Sequence, residues 1–144
     1  MREIKFRIWD KCNERMVEPR NILKICMSRL NQEPYLIVYL KKWMNPNREI
    51  REIDKCYTNE FELMQYTGFT DEDGKEIFEG DIVEFVDYGW NDDEYNCVGK
   101  VIFEDGVWHI TNSISTSELF NYDGEGIRVI GNIYENPELL EVGK

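Results

Sequence analysis

The sequence predicts a mostly β fold with a minor α part: a small antiparallel barrel of the Src-homology-3-like kind, with a β-rich N-terminal segment and a short C-terminal helix. Short apolar runs alternate with turn residues, most clearly between residues 57 and 133. These runs are joined by too few residues for crossover helices, so neighbouring strands must be antiparallel. Closing the sheet into a barrel would remove exposed strand edges.

The first strand is predicted from an alternation of period two at the start of the chain. Residues 21–27 and 35–40 are apolar and β-branched, which predicts two more strands, since Pro34 blocks a helix from entering the second run. The Asn-Pro-Asn sequence at 45–47 predicts a turn. Residues 49–55 fit either a short helix or an edge strand. The alternating residues of the first strand are Ile4, Lys5, Phe6, Arg7, Ile8 and Trp9.

The second half of the chain contains explicit turn signals. Asp73 and Gly74 lie between apolar runs and predict a tight hairpin turn of the primed type, whose central residues need positive φ angles. The Glu-Asp-Gly sequence at 104–106 predicts a second hairpin. Asn136 and Pro137 then predict a short C-terminal helix with Asn136 as its N-cap. Strands are predicted in this half at 57–68, 82–86, 98–103, 107–111 and 127–133.

Charge divides the chain into a basic segment, 1–56, and an acidic barrel, 57–144, which we expect to form one compact unit. The first contains 13 Lys and Arg against 8 Asp and Glu, and the second contains 4 against 21, giving net charges of +5 and −17 and a total of −12. The opposite charges can attract each other or neighbouring subunits. Alternatively, the acidic face imitates nucleic acid. Direct contact of the basic half with nucleic acid is not expected, because the overall negative field opposes it.

No motif predicts a catalytic, cofactor-binding or metal-binding site. The acidic sequence at 71–74 fails as a calcium loop, because Phe69 and Gly80 would occupy its first and last ligand positions. Nucleotide-binding loops and serine-nucleophile motifs are missing from the sequence. We therefore predict no enzymatic activity. The cysteines, which lack the spacing of zinc or redox motifs and are predicted to be reduced thiols, are Cys12, Cys26, Cys56 and Cys97.

The sequence predicts a cytoplasmic protein without membrane contact. Its longest apolar run, Tyr35 to Leu40, has six residues, whereas a membrane-spanning helix needs about 20. The chain opens with Met-Arg-Glu-Ile-Lys, which is unlike the start of a secretory signal.

Four segments in order over nearly the whole chain resemble the YopX family. This sequence departs from the family pattern at Ile8, where members often have Ala, and in a variable middle from about Glu18 to Tyr57. The resemblance implies a cytoplasmic protein borne by bacteriophages or prophages of Gram-positive bacteria. The family is uncharacterised and offers no catalytic residues to carry over. The segments are 6–10 (Phe-Arg-Ile-Trp-Asp), 63–68, 74–83 and 130–140.

The candidate interaction surface combines three features. Arg7, Trp9 and Asp10 belong to the first family segment and are predicted on the face opposite Phe6 and Ile8. Two tryptophans in or beside loops are typical of anchors in protein interfaces. An acidic run follows the second of them. The two tryptophans are Trp43 and Trp90, and the acidic run consists of Asp92, Asp93 and Glu94.

The sequence therefore predicts a non-enzymatic accessory module that engages a host or phage protein. We expect a homo-oligomer in which the basic segment meets the acidic barrel. The alternative is an acidic nucleic-acid mimic that occupies a DNA- or RNA-binding protein of the host. A metal-dependent hydrolase is a third and weaker hypothesis, and no cofactor is expected.

Overall fold

The computed structural model describes residues 3–30, 33–43, 50–88, 91–122 and 124–141. Trp90 and the turn predicted at 45–47 lie outside these ranges, as does the side chain of Trp43. The described residues form a mostly β fold, and their helical content is limited to single 3-10 turns. Among these residues, no helix has the length and apolar character needed to cross a membrane.

The described residues form twelve strands and four 3-10 turns. The strands are β1 (Phe6–Asp10), β2 (Arg15–Val17), β3 (Ile22–Leu30), β4 (Glu33–Trp43), β5 (Ile50–Tyr57), β6 (Phe61–Thr70), β7 (Glu76–Phe78), β8 (Asp81–Tyr88), β9 (Glu94–Glu104), β10 (Val107–Thr111), β11 (Thr116–Glu118) and β12 (Ile127–Asn132). The 3-10 turns lie at Pro19–Asn21, Thr58–Glu60, Leu119–Tyr122 and Pro137–Leu140.

One element resolves a choice that the sequence left open, and another differs in kind from the sequence prediction. The stretch at 49–55 lies mostly in β5, because its backbone pairs with β4 along its length and forms an edge of that sheet. The predicted C-terminal helix is a single 3-10 turn, Pro137–Leu140. Four residues can close one such turn but cannot build the repeated i to i+4 bonds of an α-helix.

The strands form three sheets in the described part of the chain, with the orders β2-β1-β6-β7, β3-β4-β5 and β11-β10-β9-β8-β12. Every strand pair with a defined register is antiparallel, as the short connections predict. The chain divides into an N-terminal unit (Lys5–Met64) and a C-terminal unit (Met1–Ile4 with Gln65–Lys144), and β6 contributes residues to both. Closure into a Src-homology-3-like barrel stays a prediction.

The core of the N-terminal unit takes side chains from β1, β2, β4 and β6. Ile25 on β3 is the register partner of Val38 on β4, and both belong to this core. Because side chains alternate along a strand, the odd-numbered residues of β4 lie on the face opposite the core. The buried apolar residues are Ile8, Val17, Val38, Leu40 and Phe61.

The C-terminal unit packs its core around the sheet of β8, β9, β10 and β12. The β9–β10 hairpin turns at Asp105 and Gly106, whose φ angles of 51° and 82° are both positive, as a primed turn requires. The buried core residues are Ile77, Val83, Phe85, Val101, Trp108, Ile110, Leu119, Ile127 and Val129.

A buried carboxylate holds the turn between β1 and β2. The side chain of Asp10 has no solvent exposure, and its Oδ1 accepts hydrogen bonds from the backbone N–H groups of Cys12 and Asn13, each at 3.1 Å. Its Oδ2 accepts from Asn13 Nδ2 at 2.8 Å and from Arg15 Nε at 3.1 Å. Burial tends to raise the pKa of Asp10, but the hydrogen bonds from Asn13 and Arg15 and the charge of Arg15 lower the pKa overall.

A second buried carboxylate, Asp71, organises the β6–β7 connection. Its Oδ1 accepts from the backbone N–H groups of Asp73 and Lys75, at 3.0 and 2.8 Å, and its Oδ2 accepts from the backbone N–H of Val129 on β12 at 3.0 Å. This corrects the predicted primed turn: Gly74 has a φ of 78°, but Asp73 does not have a positive φ. The Asp71 side chain adds to two backbone hydrogen bonds of this turn, in which the Asp71 N–H donates to the Lys75 carbonyl at 2.8 Å and the Gly74 N–H donates to the Asp71 carbonyl at 2.9 Å.

A pair of asparagines closes the end of β12. The Oδ1 of Asn132 accepts from the backbone N–H groups of Tyr134 and Glu135, at 3.1 and 3.0 Å. Asn136 does not cap the 3-10 turn that follows, as the sequence predicts, because its Oδ1 accepts from the backbone N–H of Asn132 instead. A Cβ at Gly131 would lie 2.6 Å from that Oδ1, so this arrangement requires glycine.

We expect Asp10→Ala to lower the free energy of unfolding by about 2–3 kcal/mol, because the turn donors lose their buried acceptor. Since folding lowers the pKa of Asp10, its stabilisation is complete above the ordinary carboxyl pKa and is lost as the pH falls through the lower folded-state value. The wild type and Asp10→Asn should therefore differ less in free energy of unfolding, measured with urea, below about pH 4.

Glu104→Ala is the matched control, because this carboxylate is exposed. Its effect should remain within about 0.5 kcal/mol at every pH. An Asp10→Ala protein as stable as the control would contradict the role assigned to the buried carboxylate.

Candidate interaction surfaces

The Arg7, Trp9 and Asp10 group does not lie on one exposed face. Arg7 and Asp10 are buried, with 6% and 0% of their surfaces exposed, and Trp9 is half-buried. The sequence prediction of an exposed face for Arg7 and Asp10 is therefore corrected. It failed for two reasons. Asp10 lies two residues after Ile8 and therefore shares the face of that core residue, and the burial of both Arg7 and Ile8 shows that both faces of β1 are covered at this point.

The acidic run forms an exposed surface at the connection between β8 and β9. Asp92, Asp93 and Glu94 are all exposed, and Asp92 has a φ of 59°. Tyr88 and Tyr95 flank the run, with 64% and 54% of their surfaces exposed, and Tyr88 is the register partner of Glu94. We call these five residues the acidic tip. The sequence analysis did not single out the two tyrosines, although they lie on either side of the acidic run in the sequence.

A second surface lies on β4, on the face opposite the N-terminal core. Tyr35, Tyr39 and Lys41 occupy odd positions of the strand, and each is half-buried. Lys24 on β3 is the register partner of Tyr39 and is exposed, and Tyr57 on β5 is the partner of Ile37, with 48% of its surface exposed. We call Lys24, Tyr35, Tyr39, Lys41 and Tyr57 the lysine–tyrosine face.

Charge and aromatic rings meet directly on the lysine–tyrosine face. The Nζ of Lys24 lies 5.9 Å from the centroid of the Tyr39 ring, within the range of a cation–π contact. On the other side of Tyr39, its register partner on β5 is Lys55. The sequence analysis interpreted residues 35–40 only as an apolar strand, because the register that brings the lysines alongside cannot be read from one strand.

Arg128 joins three carboxylates at a cleft in the C-terminal unit. Its guanidinium forms an ion pair with Glu72, a second with Asp73 at 3.4 Å and a third with Glu84 at 3.3 Å. Glu72 and then Asp73 contribute most to raising the pKa of Arg128. The adjoining cleft, about 190 Å³, includes Phe85 in its lining. Because all four charged side chains are exposed, we assign this network a modest structural role in linking β8 to β12.

The described cysteines occupy different environments. Cys12 is exposed, whereas Cys26 and Cys97 are half-buried, and all three are free thiols. Burial, followed by the nearby charge of Asp87, raises the pKa of Cys97. Within the described residues, no three His, Cys, Asp or Glu side chains are grouped as metal ligands.

Comparison with known proteins extends over nearly the whole chain. The model of the YopX protein family matches residues 5–141. The crystal structure of protein EF1440 from Enterococcus faecalis is similar, with 27% sequence identity and a TM-score of 0.60, over 97% of this chain and 99% of that chain. No curated protein matches the chain.

We expect a thiol reagent at about pH 8 to modify Cys12 faster than Cys97, because a raised pKa leaves less reactive thiolate and burial slows access. Raising the pH should narrow this difference, as more of the Cys97 thiol ionises. Peptide mass spectrometry against time gives both rates in one sample. In urea the two rates should converge, and equal rates in the native protein would contradict the assigned environments.

Proposed function

Because the chain belongs to the YopX family, which has no characterised activity, we propose that it is a non-enzymatic binding module that associates with other proteins through oppositely charged surfaces. As part of this proposal, the chain is an accessory protein of a phage or prophage that acts in the cytoplasm of the bacterial host, in line with what the family resemblance implies. A second copy of the same chain is the first partner we propose.

The distribution of charge between the two compact units carries this proposal. The N-terminal unit contains 12 Lys and Arg against 9 Asp and Glu, and the C-terminal unit contains 5 against 20. Their net charges are therefore +3 and −15, which together give the −12 of the chain. Opposite potentials on two parts of one molecule accelerate encounters between copies and favour one orientation over others.

The acidic tip is the surface we assign to this contact in the C-terminal unit. Its three carboxylates are exposed, so the surface of a partner can reach them directly. Tyr88 and Tyr95 add exposed aromatic area, and tyrosine is enriched in the energetically important parts of interfaces. A tip on one copy would meet the basic unit of another, either reciprocally in a two-fold dimer or head-to-tail in a ring or an open chain.

A second candidate function rests on the same exposed carboxylates. If the partner is a basic nucleic-acid-binding protein of the host, the acidic tip takes the place of phosphates. This hypothesis requires no self-association. On this hypothesis the chain competes with DNA for such a protein, and neutralising the three carboxylates abolishes the competition. That result would favour the mimic over the self-assembling module.

We expect the solution mass at low salt to exceed the 17.2 kDa of one chain and to fall toward it at about 0.5 M salt, where the Debye length is about 5 Å or less. The triple variant Asp92→Asn, Asp93→Asn and Glu94→Gln should have the lower mass at both salt concentrations. Light scattering after size-exclusion chromatography measures both effects.

The matched control removes the same charge elsewhere in the C-terminal unit, at three other exposed positions. It should retain the salt-dependent mass of the wild type. A monomer at every salt concentration would rule out self-association, and equal effects of the two triple variants would rule out the tip as the contact. The control substitutions are Glu104→Gln, Glu118→Gln and Glu125→Gln.

A further inference from the structure

We propose that the lysine–tyrosine face binds single-stranded nucleic acid, with unpaired bases stacked on its tyrosines and phosphates held by its lysines. This inference goes beyond the proposed function, because it assigns a different ligand class to a different unit of the chain.

The face has the arrangement of a stacking platform. Tyr35 and Tyr39 lie four residues apart on β4, which separates them by about 13 Å along the strand. Tyr57 lies beside Ile37, midway between them, on the neighbouring strand. Three rings are therefore spread over one side of a three-stranded sheet. Base–aromatic stacking tolerates any sequence, since every base has a π face.

Positive charge is interleaved with these rings. Lys24 reaches the Tyr39 ring from β3, Lys41 is the next residue on the same face of β4, and Lys55 is the β5 register partner of Tyr39. The register rows through the odd-numbered positions of β4 from Tyr35 to Lys41 contain no acidic residue. Their partners are Ser28, Cys26 and Lys24 on β3 and Tyr57, Lys55 and Ile53 on β5.

The net charge of the chain does not decide whether a strand binds this face. At physiological ionic strength, exposed charges more than about 8 Å apart are largely screened, so the potential at the face is set by the charges closest to it. On β3 and β4 those charges are Lys24 and Lys41, and at the β5 end of the face the carboxylate of Glu60 accepts from the backbone N–H of Tyr57 at 2.8 Å. A total of −12 therefore opposes long-range attraction and lowers the rate of encounter, while leaving the local contacts available.

Nucleic acid fits the face better than an acidic peptide does. A peptide carboxylate would use the lysines and leave the tyrosines without a role. An unpaired strand uses both, because its phosphates and bases alternate along an extended chain. A duplex hides its bases in the stack and would reach only the lysines.

The test is fluorescence anisotropy with a labelled thymidine strand of about 20 nucleotides, a length that exceeds the site size of one small β domain. Tyr39→Ala should weaken binding about tenfold, whereas Tyr39→Phe retains the ring and the affinity. The double variant Lys24→Gln with Lys41→Gln should show a weaker dependence of binding on salt. The slope of the logarithm of the binding constant against the logarithm of the salt concentration should fall in magnitude by about 0.7 for each phosphate that a lysine no longer neutralises. Thermal melting of each variant verifies that it is folded.

Matched controls remove the same groups from the C-terminal unit. Phe120→Ala and the double variant Lys75→Gln with Lys100→Gln affect exposed side chains outside the acidic tip and should leave strand binding unchanged. Three results would each overturn the proposal. They are a wild type that shows no salt-sensitive strand binding, a duplex that binds as tightly as the single strand, and face variants that bind the strand with full affinity. If the face variants bind the strand normally but lose self-association, the face belongs to a second copy, and only the proposed function survives.

Discussion

The fold depends on buried side-chain oxygens that accept hydrogen bonds from turn backbone. In the described residues, short strands and single 3-10 turns leave many backbone N–H groups at chain reversals without a ladder partner. Asp10, Asp71 and Asn132 each satisfy two such groups, and Asp81 accepts the backbone N–H of Phe78 at 2.8 Å. All four side chains are buried, which limits the competition of water for their acceptor oxygens.

This constraint explains what the family-like segments contain. Asp10 lies in the first segment, Asp81 in the third, and Gly131 and Asn132 in the last. Their roles are to hold turns and strand ends, and Gly131 provides the space that Asn136 fills. In this member of the YopX family, the hydrogen bonds of these residues assign them a structural role. Any binding function has to be sought on the surfaces between them.

The two candidate surfaces lie on different units and have opposite charge. The acidic tip belongs to the C-terminal unit, and the lysine–tyrosine face belongs to the N-terminal unit. Both combine exposed tyrosine with charge of one sign. A turn framework built on buried hydrogen bonds leaves such surfaces free to vary, because their residues contribute little to the core.

The sequence by itself determined the strand content, the antiparallel connections and the β9–β10 hairpin, since alternation and turn chemistry are local properties. It also indicated the acidic tip, because charged residues in a connection are exposed. Only the tertiary structure decided that Arg7 is buried, since the polar phase of a strand faces solvent only when one face is left uncovered, whereas alternation alone places Asp10 on the face of Ile8. The lysine–tyrosine face likewise depends on three strands in one register, which brings Lys24, Tyr39 and Lys55 into a single row. That register is set by the packing of the opposite face and cannot be inferred from any one strand.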